Sequence, residues 1–271
     1  MTSRPRIQSL ASVMLCAIVG SLACSSRAGG VAGGRSNDRE SDAEYDLARD
    51  SWLRRGDARD GLTHVLRSLE IDEDNSDAQH LAALIYLDLC VKSTQDCRLA
   101  EAEAHAKRAL RLRADFREAR NTLGVVLIHE KKLKEAISVL EPLTRDILYA
   151  TPESAWGNLG WAYLEVGRVD DAQQALQRSV AAQPKFCVGY FRLGLVQERK
   201  GLPEAAIESF TNALQADSRC AGLQDALLHR AKNNLSQARP DPARIDLSRC
   251  VELSLATLAG KECRFILQKL K

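Results

Sequence analysis

Three stretches decide the fold: TLGVVLIHEKKLKEA (122–136), NLGWAYLEVGRVDDA (158–172) and RLGLVQERKGLPEAA (192–206). Each places a Leu-Gly pair ahead of an Ala, with Gly124, Gly160 and Gly194 preceding Ala136, Ala172 and Ala206 by 12 residues. Successive glycines lie 36 and then 34 positions apart. A small residue at both positions lets two neighbouring helices approach closely, so the repeat is a packing rule and not a catalytic motif. The segments predict paired antiparallel helices stacked along one axis.

This spacing resembles the tetratricopeptide repeat, TPR. Worked outward, it predicts an all-α TPR solenoid of about six antiparallel helix pairs with a C-terminal capping helix. A first, degenerate pair holds Tyr45, Trp52, Gly56 and Gly61, and a second has Ala83 in the Gly position and Ala102 in the Ala position. The distance from Ala83 to Ala102 exceeds the usual one by seven residues, an insertion that contains Cys90 and Cys97. The third, fourth and fifth pairs cover 117–152, 153–186 and 187–220, with Trp156, Tyr163 and Pro184 at consensus positions of the fourth. A sixth pair follows, Gly260 is expected to stop a helix, and the amphipathic KECRFILQKLK (261–271) suits a cap over the last apolar face. The repeat domain is thus expected over 42–258 and the capping helix over 259–271.

The N-terminal region reads differently. Arg4 and Arg6 precede an uncharged run to Ala23, too short to span a bilayer comfortably, so 1–23 reads as an export signal. Ser21-Leu22-Ala23-Cys24 resembles the bacterial lipobox, with Leu two rather than three residues before the Cys. That resemblance implies lipidation of Cys24, and Ser25 in the following position implies export to the outer membrane. The stretch to residue 41, SSRAGGVAGGRSNDRES from Ser25, is rich in Gly, Ser and charge, and 24–41 is expected to be a lipidated Cys and a flexible tether. Seventeen such residues reach about 20–25 Å.

Charge is balanced, 38 basic against 36 acidic residues, with no long run of either sign, which speaks against a nucleic-acid partner. There is no phosphate loop, nucleophile elbow or His-Glu-x-x-His motif, and paired carboxylates such as Asp170-Asp171 fall where they favour a helix start. The expectation is no enzyme, no cofactor, no metal and no small-molecule substrate. Beyond Cys16 and Cys24 stand six cysteines: Cys90, Cys97, Cys187, Cys220, Cys250 and Cys263. An export signal favours disulfides, and of fifteen pairings chain proximity favours Cys90–Cys97, Cys187–Cys220 and Cys250–Cys263. Metal ligation is the alternative, without a CxxC pair or a neighbouring His to support it.

The groove of such a solenoid is lined by first-helix positions that packing between repeats does not need. The register assigns to it Asn121, Val125 and Ile128, then Trp161 and Leu164, then Phe191 and Leu195. This stripe is unusually apolar and reads as a site for a peptide or amphipathic helix, unless the tether, the terminal helix or a register shift covers it. It also speaks against the repeats that clamp acidic tails with Lys and Asn.

The third repeat is two residues long, and its sequence carries a second resemblance: Asn121-Thr122-Leu123-Gly124, Glu130-Lys131-Lys132, Arg145-Asp146-Ile147-Leu148-Tyr149, then Asn158-Leu159-Gly160. These segments resemble the type IV pilus biogenesis TPR lipoproteins, the pilotins of the PilF/PilW and Tgl kind. The resemblance implies a non-enzymatic protein lipid-anchored on the periplasmic face of the outer membrane, helping the type IV pilus secretin to assemble there and holding it in the groove. The second reading is a lipoprotein scaffold for cell-envelope, peptidoglycan-processing enzymes.

Overall fold

The computed structural model describes residues 31–93 and 95–270. The expected signal over 1–23 and the lipidated Cys24 lie outside the described residues. Thirteen α-helices follow in order, and no described residue is in a strand. They pair as α1 (Val31–Arg49) with α2 (Ala58–Ile71), α3 (Ser76–Lys92) with α4 (Leu99–Leu112), and α5 (Arg117–His129) with α6 (Leu133–Leu143). Then come α7 (Pro152–Glu165) with α8 (Val169–Ala182), α9 (Cys187–Arg199) with α10 (Pro203–Gln215), and α11 (Gln224–Ser236) with α12 (Pro240–Leu253). The last helix, α13 (Leu258–Lys269), packs on α11 and α12. Each helix also packs on the next in the chain, and α5, α7 and α9 pack side by side, so the molecule is a six-pair solenoid with a cap.

The three glycines show why the pattern is needed. A Cβ on Gly124 would stand 2.5 Å from Leu140, one on Gly160 2.6 Å from Leu176, and one on Gly194 2.5 Å from Phe210. In each pair a bulky side chain of the second helix therefore lies directly on the Cα of the first. Leu140, Leu176 and Phe210 are fully buried, as are Ala136, Ala172 and Ala206. At roughly 25 cal/mol per Å² of apolar surface removed from water, each bulky side chain seated this way contributes on the order of 2 kcal/mol. One buried cluster runs from Ala83 to Val196, a second joins α10 to α13, and Leu195 packs against both.

A turn rule accompanies the packing rule. Seven residues after Gly124, Gly160, Gly194 and Ala231, the chain turns through a residue of positive φ: Lys131 (61°), Gly167 (86°), Gly201 (70°) and Ala238 (54°). In the first pair the count is one residue longer from Ala48, because a π-turn at Asp50–Arg54 intervenes before Gly56 (71°). Two repeats thus hold a left-handed residue that carries a Cβ.

Two expectations need correction. The stretch taken as tether is helical over its last part: α1 begins at Val31, and the fully buried Ser41 hydroxyl meets Ser68 Oγ at 2.9 Å and donates to the Ser68 carbonyl at 3.1 Å. The helical period thus extends ahead of residue 42, because packing against α2 stabilises a segment of poor intrinsic propensity. Gly260 does not stop a helix either. It lies in the first turn of α13, where its N–H donates to the capping Thr257 Oγ1 at 2.9 Å and a Cβ would run into the Ser254 carbonyl.

The sulfurs of Cys90 and Cys97, of Cys187 and Cys220, and of Cys250 and Cys263 stand at bonding distance. The first pair closes the insertion between α3 and α4, the second joins the start of α9 to the turn after α10, and the third ties α12 to the cap. Among the described residues no group of three or more His, Cys, Asp or Glu is arranged to hold a metal, and no helix is long and apolar enough to cross a membrane.

Replacing the exposed Ala238 by Gly should relieve its left-handed conformation and stabilise the chain by about 0.5–1 kcal/mol, read as a raised midpoint in urea unfolding. Non-reducing peptide mapping of the protein folded under oxidising conditions should recover three linked pairs in this connectivity; closing the Cys90–Cys97 loop is worth about 2–3 kcal/mol on the chain-entropy estimate.

Candidate partner-binding groove

The first helices of the pairs form the inner face of the solenoid, and α5, α7 and α9 make its centre. The residue just after each glycine is turned about 100° from the packing direction, which keeps Val125, Trp161 and Leu195 half-buried rather than enclosed. Asn121 and Phe191 are likewise half-buried. Ile128 and Leu164 are not groove residues: they are 0% and 4% exposed and belong to the core. Each lies four positions after its glycine, only about 40° from the packing direction, so it follows the glycine inward. The apolar stripe is correspondingly narrower than the sequence pattern implies.

Polar and aromatic groups fill the space between, and apart from Asn121, Trp161 and Phe191 the spacing does not assign them there. Asn158 Nδ2 donates to Asn121 Oδ1 at 3.0 Å, and Asn158 Oδ1 accepts from Arg192 Nη1 at 2.9 Å. This ladder runs across α5, α7 and α9. The Arg192 guanidinium carbon stands 4.6 Å from the centre of the Trp161 ring, and the His129 ring meets the same indole edge-on at 5.1 Å. Trp161 Nε1 donates to Glu165 Oε1 at 3.3 Å, and Lys131 pairs with the other oxygen of that carboxylate at 2.7 Å. Further along, Glu198 pairs with His229 at 2.8 Å and accepts from Asn233 Nδ2, while Phe191 packs on Phe210 and His229.

The electrostatics follow from this enclosure. Burial pushes the Arg192 guanidinium down to about 10, which leaves it fully charged at neutral pH. Burial lowers His129 as well, with the charges of Lys131 and Arg192 acting in the same direction and Glu165 opposing them. The hydrogen bond from Lys131 leads in holding Glu165 below the usual carboxylate range. In the second pair, burial against Phe116 and Thr122 pushes His80 down to about 4.

The sequence between Arg145 and Tyr149 forms a knuckle at one edge. Asp146 takes an ion pair from Arg117 at 2.7 Å and the Leu148 N–H at 2.9 Å, while Tyr149 is buried against Leu143 and Ala155. Ile147 and Leu148 are left 96% and 71% exposed. The two extra residues of the long repeat are thus accommodated in a turn, and the helices keep their register.

His80 binds a proton less readily folded than unfolded, so between about pH 6.5 and 4 the unfolded chain holds more protons and stability falls as pH falls. Urea melts of wild type and His80→Gln from pH 7 to 5 should show a smaller loss for the variant; identical slopes would remove His80 as the cause.

The comparisons with known proteins accord with this geometry. Residues 98–145 and 158–219 match the family model described as tetratricopeptide repeat. No curated protein matches the sequence. Among solved structures, PilW, described as a widely conserved type IV pilus biogenesis factor, superposes with a TM-score of 0.67 at 22% identity, over 82% of this chain and 97% of its own. PilF of Pseudomonas aeruginosa gives 0.62 at 18% identity, over 85% of this chain and 99% of its own. A tetratricopeptide repeat protein of Parabacteroides merdae gives 0.66 at 14% identity, over 85% of this chain and 84% of its own. The chain is thus a tetratricopeptide-repeat solenoid, similar in fold to PilW and PilF.

Proposed function

We propose that this protein is a type IV pilus assembly factor, anchored through a lipidated Cys24 to the periplasmic face of the outer membrane, that binds the pilus secretin along its concave groove and helps it to assemble. The observation that carries the reading is the likeness in fold to PilW and PilF, which covers 97% and 99% of those chains and 82% and 85% of this one. The knuckle at Arg145–Tyr149, held by Arg117 and the buried Tyr149, adds a local feature beyond the common repeat. Nothing in the groove is arranged as acid, base and nucleophile; Lys131 pairs with Glu165, and Glu198 with His229. A repeat surface of this kind acts by binding a segment of another protein. The lipid would supply the location, and the rigid stack of helices would hold an unassembled secretin segment until it multimerises.

The test belongs in the source cells. The gene is deleted and restored as wild type, as Cys24→Ala, or as the Trp161→Ala, Phe191→Ala double variant, and the detergent-resistant secretin multimer is followed by immunoblot. The multimer should vanish on deletion and return only with wild type, the double variant keeping its helical circular dichroism while losing co-purification with the secretin. A multimer that persists without the gene overturns the proposal.

A further inference from the structure

Most ionic groups at the centre of the groove are answered from within the protein: Lys131 by Glu165, and Glu198 by His229. Arg192 is not. Among the described residues no carboxylate lies within 4.0 Å of it, its one hydrogen bond within the protein goes to the neutral Asn158, and its remaining donors make none. The guanidinium nonetheless sits in an enclosed place, over the Trp161 ring and beside Gly157, where a Cβ would come 3.7 Å from Nη1. It is also held there in one orientation, because Asn158 is itself fixed by Asn121 and so presents its carbonyl oxygen to Nη1.

We propose that Arg192, seated on Trp161, is an anion subsite within the groove, and that it takes the side-chain carboxylate of an aspartate or glutamate inside an extended partner segment. This rests on the groove being the partner face, and it names the chemistry of what binds there. Three observations support a carboxylate in mid-segment. The charge is complementary, since the cation is uncompensated. The free edge of a planar guanidinium matches a carboxylate through two parallel hydrogen bonds. And the half-buried apolar positions lie on both sides of it, Val125 on α5 to one side and Phe191 and Leu195 on α9 to the other, so the bound chain continues past Arg192 in both directions with apolar residues flanking its acidic one. A chain terminus would leave one of those sides unused.

The probe is a phage library of random twelve-residue segments, joined to carrier at both ends and selected on the full-length chain. Wild type should select segments with Asp or Glu between apolar residues, and Arg192→Met should select apolar segments without that acidic preference. A selected peptide, resynthesised with its acid changed to the amide, should lose about tenfold or more in affinity for wild type and nothing for Arg192→Met. Arg192→Lys, which keeps the charge and loses the fork, should fall between, and matched thermal melts of all three proteins exclude misfolding as the cause. Peptides that depend on Val125, lost on Val125→Arg, yet show no acidic preference or keep it against Arg192→Met, overturn the anion subsite and leave the groove. Selected peptides that bind Val125→Arg unchanged, or a selection that gives no Val125-dependent binder, overturn the groove as well.

Discussion

Everything in this molecule depends on a bulky side chain from one helix resting on a bare Cα of its partner. Leu140 on Gly124, Leu176 on Gly160 and Phe210 on Gly194 are the same contact made three times, each 16 residues apart in sequence, and none leaves room for a Cβ. Where the first and last pairs and the second depart from glycine, Ala48, Ala83 and Ala231 still stand fully buried in its place. Because each pair buries its face only against its neighbours, a pair forced apart would pass its displacement along the stack. The groove feels this directly, since Val125, Trp161 and Leu195 are each the next residue after one of the three glycines. Packing and binding surface are therefore one residue apart in the chain.

The turns keep that relation constant. A left-handed residue seven positions after the small one reverses the chain at the same height in four repeats, even where Lys131 and Ala238 must adopt a conformation that costs about 1–2 kcal/mol for a residue with a side chain. Variation is confined to places where it cannot disturb the stack. The insertion with Cys90 and Cys97 lies between α3 and α4, and the knuckle with Ile147 and Leu148 lies between α6 and α7. The first helices of the central repeats consequently stay in register, and a ladder such as Asn121–Asn158–Arg192 can cross three of them with bonds of ordinary length.

Period and small-residue spacing made the helix pairs, the cap and the proximity of the cysteines legible, because these follow from a few positions that admit one residue type. The groove was legible only where angle decides. Positions immediately after the glycines stay half-buried on that face, whereas Ile128 and Leu164 fall in the core because one full helical turn returns a side chain to within about 40° of the glycine. Arg192 stands one residue off the groove positions and enters the groove by reaching back over Trp161. Spacing cannot orient so long a side chain; the only hint was an Arg and an Asn two residues ahead of Gly194 and Gly160. The start of α1 was illegible for another reason, since a Gly- and Ser-rich stretch has little propensity of its own and its helix depends on contacts such as Ser41 with Ser68.

A cation at position 192 costs more than either of its contacts within the protein requires. If the only task were to bridge α9 to Asn158 on α7, a Gln would make the same hydrogen bond without the cost of withdrawing a cation from water. If the task were to cover Trp161, a Met would cover it with apolar atoms. An Arg does both and adds a desolvation cost that the Trp161 face offsets by about 0.5–2 kcal/mol. Elsewhere along this face a charge is met by an internal partner of opposite sign, as Lys131 meets Glu165. At Arg192 the offset is incomplete in the free protein, and an incompletely solvated, firmly oriented cation gains more from an incoming carboxylate than a solvated one on the outer surface would. The same enclosure that weakens Arg192 as a stabilising residue strengthens it as a recognising one.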